Sequence, residues 1–355
     1  MRSSLYESIQ KPRSSAKNIK NIVSFVKKSK IQPNLLFLGT SVAFEGINLQ
    51  VFNQRLQAKG IRAQSGACES ALLINQHLIY KELKSIRSIQ TIVHIADPIF
   101  PWTTSKKINA INLSMANEFS PIRTLSLMQE YQIPIDSTMK RFFYFRTISY
   151  RKDLQDAILS PLQRIKSLTK ARNRSHAEFY HVNQSSFQLS VYANPKSNIC
   201  GASLRNIRKG LHLDLQGNVF TKENLKVSDS YHLNTVNRTC SFVQQNYTSI
   251  PNSSSAKKLF FARLKLFYDE IHQSGHTLLV VFPAYSRHAH KLNSNFVMQA
   301  WSEFFATLPY IQSENIIDLR FPHKEFLQDD LFYDPLHLNG EGAILFTKIL
   351  AERFL

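Results

Sequence analysis

Short apolar runs alternate with amphipathic stretches near the start of the chain. Asn34–Gly39 is a continuous apolar run, which is typical of a strand buried in a parallel sheet. Four further elements follow at the spacing of an α/β domain: a helical pattern that runs to Lys59 and is ended by Gly60, a strand at Ile61–Gln64, a helix at Ala71–Ile86 and a strand at Gln90–Ala96. This alternation predicts an α/β fold with a doubly wound parallel sheet.

The same pattern returns near the end of the chain. It predicts a helix at Ala256–Ser274, a strand at His276–Pro283, a helix at Asn295–Thr307, a strand at Asn315–Leu319 and a closing helix at Gly340–Leu355. The core sheet is therefore expected to draw strands from both ends. We predict a basic N-terminal arm or short surface helix over 1–33 and one α/β domain over 34–355, with 98–255 as an insertion or cap. Within the insertion, Arg141–Arg146 is a candidate strand and Asp153–Arg174 a candidate basic helix.

Composition excludes several classes of protein. Of 355 residues, 43% are hydrophobic and 19% charged, which is ordinary for a folded globular chain. Cys68, Cys200 and Cys240 form no C-x-x-C pair, so zinc-finger and redox motifs are not indicated, and an odd count argues against a fully paired disulfide scaffold. No apolar run approaches the roughly 20 residues that cross a bilayer, and no signal peptide is predicted.

Charge is strongly unbalanced towards the positive. Forty-four Lys and Arg stand against 25 Asp and Glu, for a formal +19. This favours an anionic partner, either a membrane surface or an acidic polymer; a merely solvated basic surface is the alternative, and nucleic acid ranks last because no binding motif is present. Besides Lys27, Lys28 and Lys30, the cations concentrate in one stretch with interleaved aromatic residues: Lys140, Arg141, Arg146, Arg151, Lys152, Arg164, Lys166, Lys170, Arg172 and Arg174.

Candidate chemistry gathers where the predicted strands end. Ligand sites of doubly wound sheets form beyond the carboxyl ends of the strands, which here carry Ser41, Gly66 and Asp97. The loop before the last helix adds Asp334 and His337. The Asp-x-x-His spacing lets the carboxylate hold one imidazole nitrogen while the other faces Ser41 as a general base. Each residue also has a structural interpretation, as a strand-end turn, a helix cap or a turn before Pro335.

Two motifs resemble blocks of a known family. L-F-L-G-T-S at 36–41 and D-P-L-H-L-N at 334–339 resemble the first and last blocks of SGNH (GDSL-like) hydrolases. The extended ending at 332–343 is similar to members that acylate cell-envelope polymers, the alginate O-acetylation and D-alanyl transfer proteins. The resemblance covers 34–97 and 256–355.

The resemblance implies a flavodoxin-like three-layer fold and a catalytic triad. Ser41 would be the nucleophile, His337 the base and Asp334 its orienter, with an oxyanion hole made by the amides of Ser41 and Gly66. It implies no cofactor, an ester-bearing small molecule, lipid or polysaccharide as substrate, and a location in the bacterial cell envelope.

The chain departs from the family at its third block. Where members often have Gly-x-Asn-Asp, this sequence has H-I-A-D-P at 94–98, and an ionised Asp97 cannot donate a hydrogen bond as the Asn does. The predicted function is a serine esterase or O-acyltransferase acting on oxygen esters. The alternative is an inactive SGNH-fold protein that binds an envelope glycan or anionic lipid. No metal is expected, since Asp329 and Asp330 lack partners at ligand spacing.

Overall fold

Five short parallel strands form the central sheet. They are β1 (Leu35–Gly39), β2 (Ala63–Ser65), β3 (Thr91–Ile95), β4 (Thr277–Phe282) and β5 (Ile316–Asp318). Their order across the sheet is β2-β1-β3-β4-β5, so β3 from the first part of the chain pairs with β4 from the last part. The predicted α/β class with a parallel sheet built from both chain ends is confirmed.

The computed structural model describes residues 15–30, 32–97, 108–145, 178–191, 254–289, 295–320, 326 and 328–355, with shorter pieces between 155 and 240. A separate two-stranded antiparallel ladder joins His212–Leu213 to Val219–Phe220. The helices of the described parts are α1 (Ser15–Lys27), α2 (Ser41–Gly46), α3 (Leu49–Leu56), α4 (Leu73–Leu83), α5 (Ala110–Ala116), α6 (Pro121–Glu130), α7 (Ser137–Tyr144), α8 (Ser254–Gln273), α9 (Asn295–Phe305) and α10 (Gly340–Glu352).

Alternate residues of the strands pack into two separate hydrophobic cores. Leu36 and Leu38 of β1 belong to one core with α1, α4, α8 and α9. Leu35 and Phe37 belong to the other, with α3 and α10. Because side chains of a strand alternate between the faces of its sheet, the two cores lie on opposite faces. The molecule therefore has three layers, with helices on both sides of a fully covered parallel sheet.

The N-terminal helix is part of the core. Helix α1 buries Ala16, Ile19, Ile22 and Val26, a stripe at helical spacing. The last three belong to the same core as α4 and α8. The sequence predicted a helix or arm on the surface here; the helix is found, but its position is buried, so residue 33 does not mark the start of the packed core.

The middle of the chain also differs from its prediction. Arg141–Arg146 was expected to be a strand, but residues to Tyr144 lie in helix α7. The Asp136 side chain caps this helix by accepting from the Met139 amide at 2.7 Å, and Met139 and Phe143 pack towards the core at i, i+4 spacing. The strand was predicted because aromatic residues are common in strands. The side-chain cap and the helical spacing of the buried residues instead stabilise a helix here. The predicted basic helix Asp153–Arg174 lies mostly outside the described residues.

Residues 178–191, in the second half of the insertion, pack on the loop before the last helix. The Leu189 amide donates to Phe332 O at 2.7 Å and the Gly340 amide donates to Ser185 O at 2.9 Å. The Asn183 side chain donates to the carbonyls of Glu45 and Leu338. This part of the insertion therefore holds the two chain segments that carry the candidate chemistry.

Two histidines, His94 and His77, are buried and hydrogen-bonded in the helical layer beside the first core. His94 of β3 lies within hydrogen-bonding distance of the Tyr268 hydroxyl (2.7 Å) and Gln76 Oε1 (2.9 Å), and burial lowers its pKa to about 3. Glu270 of α8 binds His77 of α4 at 2.7 Å and also contacts Lys81 and Lys84. His94 is thus a neutral core residue with both nitrogens paired.

The cysteines are in different states. Cys68 is a buried free thiol, and burial raises its pKa well above the ordinary value. Cys240 is disulfide-bonded.

Among the helices that the structure describes, none is long and apolar enough to cross a bilayer.

Candidate active site

Ser41 is the first residue of a helix that turns directly off the end of β1. Gly39 makes the turn fit: a Cβ there would lie 2.6 Å from the Ala43 Cβ and 3.1 Å from the Ile95 carbonyl oxygen. Thr40 is the N-cap, and its hydroxyl accepts from the Val42 amide. As the first helical residue, Ser41 has an amide with no acceptor inside the helix. Both its hydroxyl and its N–H are therefore placed at the carboxyl edge of the sheet.

His337 lies in a tight loop just before α10. The loop closes through a bridge between Phe332 and Leu338 and through the Tyr333 amide, which donates to His337 O at 2.8 Å. Asn339 then caps α10 by accepting from the Gly342 amide at 2.9 Å. Backbone bonds on both sides thus fix the position of the imidazole.

Asp334, His337 and Ser41 form one continuous hydrogen-bonded chain. His337 Nδ1 lies 2.9 Å from both Asp334 carboxylate oxygens, and its Nε2 lies 2.8 Å from Ser41 Oγ. The carboxylate accepts from Nδ1–H, so that whenever the imidazole is neutral its Nε2 is left to accept from the serine hydroxyl. The structure therefore brings together the three predicted residues across 296 positions of sequence, in the arrangement that nucleophilic catalysis requires.

Electrostatics around the imidazole favour its protonated form. Burial alone lowers the pKa of His337, but the charge and hydrogen bond of Asp334, with the charges of Glu45 and Asp97, raise it to about 9. Burial raises the pKa of Asp334, while the charge and hydrogen bond of His337 and the amides of Leu336 and His337 bring it below its ordinary value. The pair is therefore built to hold an imidazolium beside a carboxylate.

A fourth side chain, from the insertion, completes the hydrogen bonding of Asp334. The Thr239 hydroxyl donates to Asp334 Oδ2 at 3.0 Å, and both residues are buried. Nearby, His232 Nε2 donates to Tyr333 O at 2.6 Å and its ring packs against Tyr333. Sequence reasoning missed Thr239, since a lone threonine 95 positions from its partner belongs to no motif.

Two more carboxylates line the surroundings of His337. Glu45 of α2 contacts His181 Nε2 at 3.0 Å, and that ring stacks on Phe44. Asp97, at the end of β3, accepts from the Tyr285 hydroxyl at 2.7 Å. Asp97, one of the predicted strand-end residues, bears on the imidazole through its charge. In the strand order, β1 and β3 flank the switch point where ligands of doubly wound sheets bind.

Gly66 does not have the role that was predicted for it. Its amide donates to Phe37 O at 2.8 Å, so this N–H is used by the sheet and is not available to an oxyanion. A Cβ at this position would lie 3.0 Å from side-chain atoms of Ile79 and Leu38. Gly66 is therefore a packing residue where α4 crosses the sheet, and the predicted oxyanion pair of Ser41 and Gly66 reduces to the Ser41 amide.

Asp329 and Asp330 do not approach a metal-binding arrangement. Asp329 is buried and paired with Arg287 at 2.6 Å and His288 at 3.2 Å. Among the residues that the structure describes, no group of three His, Cys, Asp or Glu side chains is placed as metal ligands would be. The Asp329 cluster instead joins the loop after β4 to the loop of the candidate triad.

Comparison with models of known protein families finds no match, and comparison with curated proteins finds no relative.

Proposed function

We propose that this protein is a serine hydrolase or acyltransferase that acts on oxygen esters. The observation that carries the proposal is the hydrogen-bonded chain from Asp334 through His337 to Ser41 at the carboxyl edge of the sheet. The resemblance of the first and last motifs to SGNH hydrolases, and the strand order with helices on both faces, support a place in that family. A role in modifying cell-envelope polymers or lipids, and a location there, belong to the same proposal.

In the proposed reaction, Ser41 Oγ attacks the ester carbonyl carbon while its proton passes to His337 Nε2. Negative charge develops on the carbonyl oxygen, towards which the Ser41 amide donates. His337 then gives the proton to the leaving oxygen, the alcohol departs, and the acyl group remains on Ser41. Water or an acceptor hydroxyl attacks this ester in the second half, so hydrolysis and transfer differ only in the acceptor.

A second candidate function is supported by the state of the oxyanion hole. The Gly66 amide is bonded within the sheet, and an acidic residue, Asp97, stands where the SGNH motif often has a donor Asn. A site with one identified donor is compatible with a protein that binds an envelope glycan or anionic lipid without turning it over. Removing one such donor from an enzyme costs on the order of 3 kcal/mol in the transition state.

Reaction with a fluorophosphonate probe distinguishes the two functions. The probe forms an oxygen–phosphorus bond with an activated serine and releases fluoride, so peptide mass spectrometry should locate the label on Ser41. Ser41→Ala and His337→Ala should stay folded and unlabelled. Ser65→Ala is the matched control, because Ser65 lies at the same edge after β2 and only accepts from the Ala67 amide; it should keep full labelling. A folded wild type without label, or with label on another serine, would refute the catalytic proposal.

A further inference from the structure

Exposed apolar side chains recur over a short stretch of the insertion's sequence. Tyr144 and Phe145 are about three-fifths exposed, and Ile158, Leu159 and Leu162 are between 69% and 75% exposed. Single exposed apolar residues are ordinary on a folded protein, whereas neighbouring ones, such as Tyr144 and Phe145 here, mark a contact surface. Five such side chains between 144 and 162 therefore call for a partner with an apolar phase.

The exposed face of α7 combines these rings with cations. Met139 and Phe143 point to the core, while Lys140, Arg141 and Tyr144 are exposed. Residues four apart on a helix are neighbours, so Lys140 lies beside Tyr144, and Arg141 lies beside Phe145 just past the helix end. Aromatic rings of this kind occupy the headgroup level of a membrane, and long cationic side chains extend from there to lipid phosphates.

The sequence around these residues is strongly cationic. Between 140 and 174 there are ten Lys and Arg and only two carboxylates, Asp153 and Asp156. Polybasic segments of this density are attracted to anionic lipid surfaces. Charge alone would suit any polyanion, but aliphatic side chains such as Leu159 and Leu162 gain nothing from a phosphodiester backbone and gain burial at the acyl boundary of a bilayer.

We propose that an anionic membrane binds the exposed face of α7, with Lys140, Arg141, Tyr144 and Phe145, and also contacts the exposed apolar residues Ile158, Leu159 and Leu162 that follow in the sequence; together these residues are called the docking surface. The protein would bind peripherally, with the rings and aliphatic groups in the interface and the cations on lipid phosphates. Binding at this surface does not require that Ser41 be catalytic.

Co-sedimentation with lipid vesicles tests the docking surface directly. At low salt the wild type should bind vesicles of phosphatidylcholine mixed with phosphatidylglycerol and bind poorly to phosphatidylcholine alone. Lys140→Gln/Arg141→Gln should lower the partition coefficient about thirtyfold, the equivalent of about 1 kcal/mol for each cation. Tyr144→Ser/Phe145→Ser and Leu159→Ser/Leu162→Ser should lower it as well. Ile122→Ser is the matched control, because Ile122 is 76% exposed on α6 and lies outside the proposed surface.

Three results would overturn the proposal. The first is equal binding to neutral and anionic vesicles, or no binding to either. The second is a loss in Ile122→Ser as large as in the docking variants. The third is a loss on neutralising Lys140 and Arg141 with none on removing the rings or aliphatic groups, which would indicate a surface for a soluble polyanion such as nucleic acid.

Discussion

Replacing Thr239 by valine should disturb the candidate triad although none of its three residues is substituted. The change keeps the size of the side chain and removes the hydroxyl that donates to Asp334 Oδ2 at 3.0 Å. Asp334 is buried, and its remaining donors are the Leu336 and His337 amides and His337 Nδ1. Without the hydroxyl, the carboxylate charge is less compensated, so Asp334 should hold the imidazolium more strongly and raise the pKa of His337 further.

The expected loss of labelling rate follows from the energy of the hydrogen bond that Thr239→Val removes. A hydrogen bond to a charged group contributes about 1.5–3 kcal/mol, and each 1.4 kcal/mol is a factor of ten in rate. If the whole bond serves the reaction, the second-order rate of fluorophosphonate labelling at neutral pH should fall between about tenfold and a hundredfold. The pH at which labelling is half-maximal should also move upward, since only the neutral imidazole takes the serine proton. Thr239→Ser keeps a hydroxyl and should restore both quantities.

The control for Thr239→Val is the same change at Thr124. Thr124 is also buried, and its hydroxyl donates to the Ala116 carbonyl at 3.2 Å, away from the triad. Thr124→Val should lower thermal stability and leave the labelling rate and its pH midpoint unchanged. A folded Thr239→Val protein that labels like the wild type at every pH would show that Thr239 has no positioning role.

Two other measurements follow from the same electrostatics. Labelling of the wild type should rise with pH around a midpoint near 9, because the charges of Asp334, Glu45 and Asp97 raise the pKa of His337 to about 9 against the effect of burial. Glu45→Gln or Asp97→Asn should move this midpoint to lower pH. A wild-type midpoint near the ordinary histidine pKa of about 6.5 would contradict the assignment. Burial raises the pKa of Glu270, but its hydrogen bonds with one histidine and two lysines bring it well below the ordinary value. Its stabilising effect is therefore complete above the ordinary carboxyl pKa and lost as pH falls. Glu270→Gln should lower the melting temperature at neutral pH, by less at low pH, without changing labelling per folded molecule; a difference independent of pH would refute the ion pairing.

The predictable part of the site follows from one property of parallel sheets. Continuous apolar runs identify buried strands, and the carboxyl ends of parallel strands meet at one edge whatever their distance in sequence. Ser41 after β1 and the Asp334–His337 turn could therefore be paired from sequence although 296 positions separate the hydroxyl from the imidazole. The turn itself is local, so its three-residue spacing was sufficient to predict its internal hydrogen bond.

The missed features all depend on contacts that have no local signal. Thr239 reaches Asp334 only because the insertion packs over the triad loop. The role of Gly66 depends on whether its amide faces the sheet or the site, and a glycine after a strand is compatible with either. Helix α1 has a basic sequence and a short apolar stripe, a pattern that also occurs in surface helices. Only the contacts of that stripe with the first core show that the helix is buried.

Asp334 and His337 were open to a purely structural interpretation, and the geometry argues against it. A turn needs only that the Asp334 carboxylate accept from the backbone amides of Leu336 and His337, as it does at 2.9 Å for both. It needs neither the bond from Thr239 nor an imidazole held 2.8 Å from a hydroxyl at the end of another strand. A buried carboxylate is costly unless it is paired and fully hydrogen-bonded, so a residue that only closed a loop would not need a charge at 334 or a hydroxyl at 239. The additional groups keep the carboxylate charged beside an imidazolium, which is what the proposed function requires of a base that takes a proton from Ser41.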